Sequence, residues 1–227
     1  MIITIDGPVA TGKSIVAKKL AKDIGFIFFD TGAMYRTLTY GVLKHHIDIQ
    51  QPEQLQQFLD AFQLDIKVVH HEKYYYFEGE DITQKIRSPG VTAFVSEVSA
   101  LKPVRDKLAS LQRELAEGVN AVFEGRDMGT TIFPDAGLKI FLTGDNEIRA
   151  KRRFEELKSK YPEENKDLTL EQCLEEINKR DAYDSAREHA PLRQADDAYV
   201  IDTSNLSIDE VVMRILEYKD ALKTKRE

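Results

Sequence analysis

Eight residues near the start of the chain, Gly7-Pro8-Val9-Ala10-Thr11-Gly12-Lys13-Ser14, satisfy the pattern G-x-x-x-x-G-K-[ST] in full. The pattern constrains the fold because it works in one context, with a strand delivering the chain to the loop and a helix leaving it. Both flanks are present. Ile2-Ile3-Thr4-Ile5 is a β-branched run suited to a buried strand, and Ala17, Leu20, Ala21 and Ile24 mark one apolar helical face. Gly7 and Gly12 permit backbone angles and close approach that a Cβ would block. The loop amides and the helix N-terminus then surround a polyphosphate. Lys13 reaches its β- and γ-phosphates, and the Ser14 hydroxyl is the candidate Mg²⁺ ligand. These residues predict a nucleoside triphosphate site.

The length of 227 residues suits one α/β domain with an insertion. Lys plus Arg number 32 against 39 Asp plus Glu, a net charge of −7 that disfavours a nucleic-acid polymer or a membrane surface as partner. The single cysteine, Cys173, has no internal partner for a disulfide, as expected in a reducing cytoplasm. No apolar stretch approaches spanning length, and a core strand begins where a signal peptide would lie. The expectation is a cytoplasmic protein.

Four further β-prone runs follow, at residues 26–29, 121–124, 138–142 and 199–202, with helical patterns between them. One helix is expected from about Ala33 to His46. Alternating β and α with continuous apolar strands predicts a parallel sheet covered on both faces. The fold class is therefore α/β: a P-loop NTPase-type core with a five-stranded parallel sheet flanked by helices. Ligands of such sheets lie beyond the carboxyl ends of the strands, where Gly7 to Ser14, Asp30 to Arg36 and Gly125-Arg126-Asp127 fall.

Period-two alternation at 64–68, a polar turn at His70-His71-Glu72-Lys73 and the run Tyr74-Tyr75-Tyr76-Phe77 predict a small β-rich insert over about 63–86. Hairpin packing and a base-stacking platform both fit the tyrosines. Two helices are expected next, around Thr92–Leu101 and Pro103–Glu117. The polar, proline-containing stretch 158–167 separates two more, Glu147–Leu157 and Leu170–Glu188, as either a movable lid or a plain connection. The expected organisation is one domain over 1–227, with the core at 1–62, 87–157 and 168–227. Lys223-Thr224-Lys225-Arg226 reads as a frayed tail.

On the second lid helix, Cys173, Ile177, Arg180, Asp184 and Arg187 share one face, which begins apolar and continues charged. An inward charged stripe is costly unless paired or turned to a polar ligand. An ion-pair ladder is one reading, and phosphoryl transfer, which relies on fixed guanidinium groups, is the other. Arg149 and Arg153 lie one turn apart on the preceding helix. Asn178-Lys179-Arg180-Asp181 imitates the Asn-Lys-x-Asp guanine reader but falls inside a helix, and no Asp-x-x-Gly accompanies it. The adjacent pairs His45-His46 and His70-His71 are poor metal ligands and read as surface residues.

The chain resembles bacterial cytidylate kinases, in the nucleoside monophosphate kinase group, over essentially its whole length. The similar elements are Ile5-Asp6-Gly7-Pro8 with Gly12-Lys13-Ser14, Asp30 to Arg36, and Glu124-Gly125-Arg126-Asp127-Met128-Gly129-Thr130. Lys179-Arg180-Asp181, Asp184, Arg187 and Ala190-Pro191-Leu192 follow. The resemblance implies transfer of the ATP γ-phosphoryl group to CMP or dCMP with Mg²⁺, a lid, and a β-rich insert. It implies that Gly7, Pro8, Val9, Ala10, Thr11, Gly12, Lys13, Ser14 and Ile15 bind ATP. Arg149 is expected to stack on adenine and Arg153 to contact phosphate. It further implies that Arg36 and Arg126 hold the acceptor phosphate and that Ser96, Arg105 and Asp127 read cytosine. Arg180 and Asp184 would contact the sugar, Arg187 would approach phosphate and sugar, and Thr31 belongs to the acceptor site. By the same resemblance, Lys13, Arg126, Arg180 and Arg187 would carry the catalysis. Val9-Ala10, Ile15 and Glu124 depart from what relatives commonly have. Closure of the lid and insert on a single chain is expected with both substrates bound. The alternatives are a kinase for another nucleotide or a metabolite such as shikimate, and a nucleotide-dependent switch.

Overall fold

The structure is a computed structural model that describes residues 1–69 and 72–224; the turn expected at His70-His71 and the end Lys225-Arg226 lie outside the described residues. The chain divides into two compact units, one of Met1–Phe29 with the chain from Ala116 onward, the other of Asp30–Leu115.

The first unit is built on a five-stranded sheet. Its strands are β1 (Ile2–Asp6), β2 (Ile27–Asp30), β6 (Ala121–Glu124), β7 (Leu138–Thr143) and β8 (Tyr199–Asp202), in the order β2-β6-β1-β7-β8. β1 pairs in parallel with β6 and β7, and β7 with β8. All five expected strands are present. The register sets Ile5 beside Glu124, and Gly125 N–H continues the ladder to Ile5 C=O at 3.0 Å. The phosphate loop and the Arg126-Asp127 segment thus leave adjacent strands at the same edge. Helix α1 (Lys13–Ile24) packs Val16, Ala17 and Leu20 on Ile3, Ile5 and Val122 of the sheet, and α8 (Ile208–Thr224) adds Val211, Val212 and Ile215. Burying one such aliphatic side chain stabilises the fold by roughly 1.5–3 kcal/mol.

Two helices of the same unit form a pair. α6 (Asn146–Lys160) starts at Asp145, whose carboxylate accepts from Glu147 and Ile148 N–H. α7 (Leu170–Ala186) starts with a capping box, in which Thr169 accepts from Gln172 N–H and Gln172 accepts from Thr169 N–H. The polar connection 161–169 joins them, close to the expected 158–167.

The second unit comprises α2 (Thr31–Lys44), α3 (Pro52–Ala61), a sheet of β3 (Asp65–Val69), β4 (Glu72–Phe77) and β5 (Glu80–Asp81), and helices α4 (Pro89–Ala100) and α5 (Lys102–Ala116). The insert is thus three-stranded rather than a simple hairpin. α3 was not anticipated, although Pro52 at its first turn and the buried Leu55, Phe58 and Leu59 supply a start signal and an apolar face. The tyrosine run serves packing: Tyr75 is buried with Phe77, while Lys67 lies 4.3 Å over the Tyr76 ring. His45 and His46 are exposed.

Candidate active site

The phosphate loop joins β1 to α1 in a strained but determined conformation. A Cβ at Gly7, whose φ is +145°, would lie 2.1 Å from the Leu142 carbonyl oxygen, so only glycine fits there. Gly12 enters the helix at φ 84°. Lys13 folds over the loop, its Nζ donating to Pro8 C=O at 2.6 Å, and Thr11 Oγ1 donates to the same carbonyl at 3.1 Å. Burial pulls the Lys13 ammonium down to about 7; Arg126 adds to this, while Glu124, Asp181 and Asp6 oppose it.

Ser14 Oγ donates to Glu124 Oε1 at 2.6 Å, bringing a helix hydroxyl and a strand-end carboxylate together. Among the described residues, no group of three or more His, Cys, Asp or Glu could cage a metal. A hydroxyl–carboxylate pair nevertheless fits Mg²⁺, a hard cation that keeps waters and takes substrate phosphates as ligands. Ile15 is exposed beside this pair in sequence.

After β6 the chain carries Arg126 and Asp127. Arg126 Nε donates to Asp184 Oδ2 at 3.0 Å, and Arg187 Nη1 lies 3.7 Å from Asp184 Oδ1. Arg187 Nε also donates to the Asp184 C=O at 3.2 Å. Asp184 is 4% exposed, so its charge is held by two guanidinium groups and not by water. Of the ladder foreseen along this helix, the contact between Asp184 and Arg187 is present, with Arg187 just past the end of α7 at Ala186, and it also recruits Arg126 from 58 residues away. Arg180 stands half-buried on the same helical face.

Asp127 is buried, and the segment after it is anchored by Asp6. The Asp6 carboxylate accepts from Met128 N–H at 2.9 Å and Gly129 N–H at 2.8 Å. Burial pushes Asp6 up to about 7; the two amides pull it down, and Asp127 pushes it further up. Asp6 went unnoticed in sequence as a site residue, yet it closes β1 immediately before Gly7, where strand-end residues carry function.

Arg149 is tied into the protein. It is 3% exposed, and its donors go to Gly144 C=O, Val9 C=O, Asn146 Oδ1 and Asp181 Oδ2. Arg153, one turn later, is half-buried and paired with Glu156 at 2.9 Å.

The second unit gathers its own set. Arg36 on α2 donates to Thr92 Oγ1 at 2.8 Å, and Ser96 follows Thr92 by one turn of α4. Ser99 Oγ donates to Ser96 C=O, and Arg105 Nη1 donates to Ser99 C=O at 3.0 Å. The Arg105 guanidinium carbon lies 5.4 Å over the Tyr35 ring, an arrangement that orients it. Arg36, Ser96 and Arg105 are therefore linked through α4, with buried Thr31 opening α2. Thr92 was not foreseen; its signal was the four-residue spacing to Ser96.

The family model for cytidylate kinase matches residues 3–221 of this chain. A cytidylate kinase of Protochlamydia amoebophila (strain UWE25) is 69% identical over 226 residues, covering 100% of this chain and 99% of the relative. A cytidylate kinase of Caldicellulosiruptor saccharolyticus is 47% identical, covering 95% and 93% of the two chains. Among solved structures, a shikimate kinase from Bacteroides thetaiotaomicron superposes with a TM-score of 0.51 at 12% identity, covering 97% of this chain and 98% of the other. That likeness concerns the fold alone.

Proposed function

We propose, from the premise that this chain belongs to the cytidylate kinase family, how its residues divide the work of a CMP/dCMP kinase. The enzyme is a phosphotransferase that moves the ATP γ-phosphoryl group to CMP or dCMP, yielding CDP or dCDP and ADP. The observation that carries the division is Asp184 held between Arg126 and Arg187, a buried cluster with surplus positive charge.

Gly7 to Ile15 cradle the ATP phosphates, and Lys13 leaves the Pro8 carbonyl to meet the β- and γ-oxygens. Arg153 exchanges Glu156 for phosphate. Mg²⁺, when bound, neutralises charge growing on the β- and γ-oxygens; Ser14 and Glu124 would hold it. Arg36, Arg126 and Arg187 bind and orient the acceptor phosphate, with Arg180 and Asp184 on the sugar and Thr31 beside the acceptor. Positioned guanidinium groups stabilise the equatorial charge of the transferring group, and each such donor typically contributes about 10²–10³ in rate.

For the base, Asp127 accepts from the cytosine N4 amine, while Arg105 and Ser96 donate to N3 and O2. Uracil presents the reverse pattern, leaving buried polar groups unpaired. The chain is read as acting as a monomer. A cysteine without a disulfide supports a cytoplasmic setting, and no helix among the described residues is long and apolar enough to cross a membrane.

A panel of acceptors with ATP and Mg²⁺ tests the reading. CMP and dCMP are expected to turn over fastest. Faster turnover of UMP, AMP or shikimate would refute it, and ATP hydrolysis independent of any acceptor would identify a switch instead.

A further inference from the structure

Val9 is the third residue of the phosphate loop, yet it is held from outside the loop on every side. Its N–H donates to Asp181 Oδ1 at 2.9 Å, and its C=O accepts from Arg149 Nη1 at 2.7 Å. Arg149 Nη1 also donates to Asp181 Oδ2 at 2.6 Å. The three groups close a ring that joins one loop residue to α6 and α7. The Val9 side chain packs against the apolar cluster of those helices, around Ala150, Cys173 and Ile177.

The ring extends further. Arg149 Nη2 donates to Asn146 Oδ1 at 2.6 Å, and Asn146 Nδ2 donates to Asn178 Oδ1 at 2.8 Å. Asn178 and Asp181 are the first and last residues of the Asn-Lys-x-Asp string that imitates a guanine reader. The two outer residues of the string join α7 to α6 and, directly and through Arg149, to the loop.

Position in the loop gives this attachment its consequence. Ala10, the next residue, adopts φ 59°, a left-handed angle disfavoured for a residue with a Cβ. Such an angle persists only where the surroundings over-determine it, and the clamped Val9 supplies that determination. The loop's shape is thereby tied to the α6–α7 pair.

We propose that Asp181 is a positioning residue for the donor nucleotide. It fixes the phosphate loop through Val9 and Arg149 and so governs ATP affinity without touching ATP. The proposal concerns the loop alone and is independent of the acceptor's identity.

The test is equilibrium titration of the full chain with ATP–Mg²⁺ in the absence of acceptor, alongside KM values for both substrates. Asp181→Ala is expected to weaken ATP binding by about tenfold or more, the scale of a lost charged hydrogen bond. Asp181→Asn keeps the side-chain shape and an acceptor for Val9 N–H but loses the charge facing Arg149. Its expected loss is several-fold, between parent and alanine variant. The acceptor KM should stay within about twofold, since removing one phosphate-loop clamp leaves the acceptor's own groups in place. Should the alanine variant fail to fold, the asparagine variant decides. ATP affinity unchanged in whichever variant folds, or an equal loss for both substrates, would overturn the proposal.

Discussion

Ser14 Oγ and Glu124 Oε1 stand 2.6 Å apart, although 110 residues separate them in the chain. The contact exists because β1 and β6 are neighbours in register, so the first turn of α1 faces the end of β6. Glu124→Gln keeps a hydrogen-bond acceptor but removes the charge that favours a divalent cation. The variant should need a higher Mg²⁺ concentration for half-maximal rate, by about tenfold. Activity against Mg²⁺ concentration checks this, and a superimposable curve would assign the metal elsewhere.

Lys13→Met should reduce phosphoryl transfer by at least about 10²-fold, the usual scale for losing one transition-state donor. The same change removes a cation that burial disfavours, so melting should stay at or above the parent temperature. Turnover and a melting curve measured on one sample test both halves. Retained turnover would remove the lysine from the chemistry.

Asp6 gives the chain a pH dependence of predictable sign. Its folded-state pKa lies near 7, above the ordinary 3.8, so its favourable contribution is complete below about 4 and is lost as pH rises through 7. Lys13 works in the opposite direction, its contribution being complete above about 10.5 and lost as pH falls through 7. Asp6→Asn abolishes the first effect. By removing one of the carboxylates that hold the Lys13 ammonium up, it also deepens the second, and both changes favour the variant as pH rises. Relative to the parent, the variant should therefore gain on the order of a few kcal/mol between pH 4.5 and 8. Denaturant melts at those two pH values read the difference, and a gap that stays constant would contradict the raised pKa.

If Asp127 accepts from the cytosine amine as proposed, Asp127→Ala should lower kcat/KM for CMP by at least about 10²-fold. The KM for ATP should hardly move. Steady-state kinetics in each substrate separate the two, and a mild effect on CMP would mean that another group reads the base.

The relation of sequence to structure differs between the loop and its supports. Gly7 through Ser14 could be read directly because all the parts lie within eight consecutive residues. The helix starts at Asp30, Asp145 and Thr169 are likewise local, each cap reaching no more than three residues along the chain. α3 was legible in the same way, with a proline start and an apolar stripe, and was overlooked. The three-stranded form of the insert was not legible, since β5 is only Glu80–Asp81 and forms by pairing with Phe77 and Tyr76.

Charge partners belonged to tertiary structure. Arg149 looked like a ligand-facing arginine because its helix carries several, and nothing local indicated that Val9, 140 residues earlier, would take its hydrogen bond. Asp181 looked like a misplaced base reader until the packing of α7 brought it to the same loop residue. Asp6 shows the same limit, with amide partners more than 120 residues away. The sequence by itself determined the triphosphate loop, the parallel α/β core and the arginine supply, because periodicity and backbone chemistry act over short spans. Which charges face ligand and which hold the scaffold was decided only by the fold, because a charge's energy depends on what stands within a few ångströms of it.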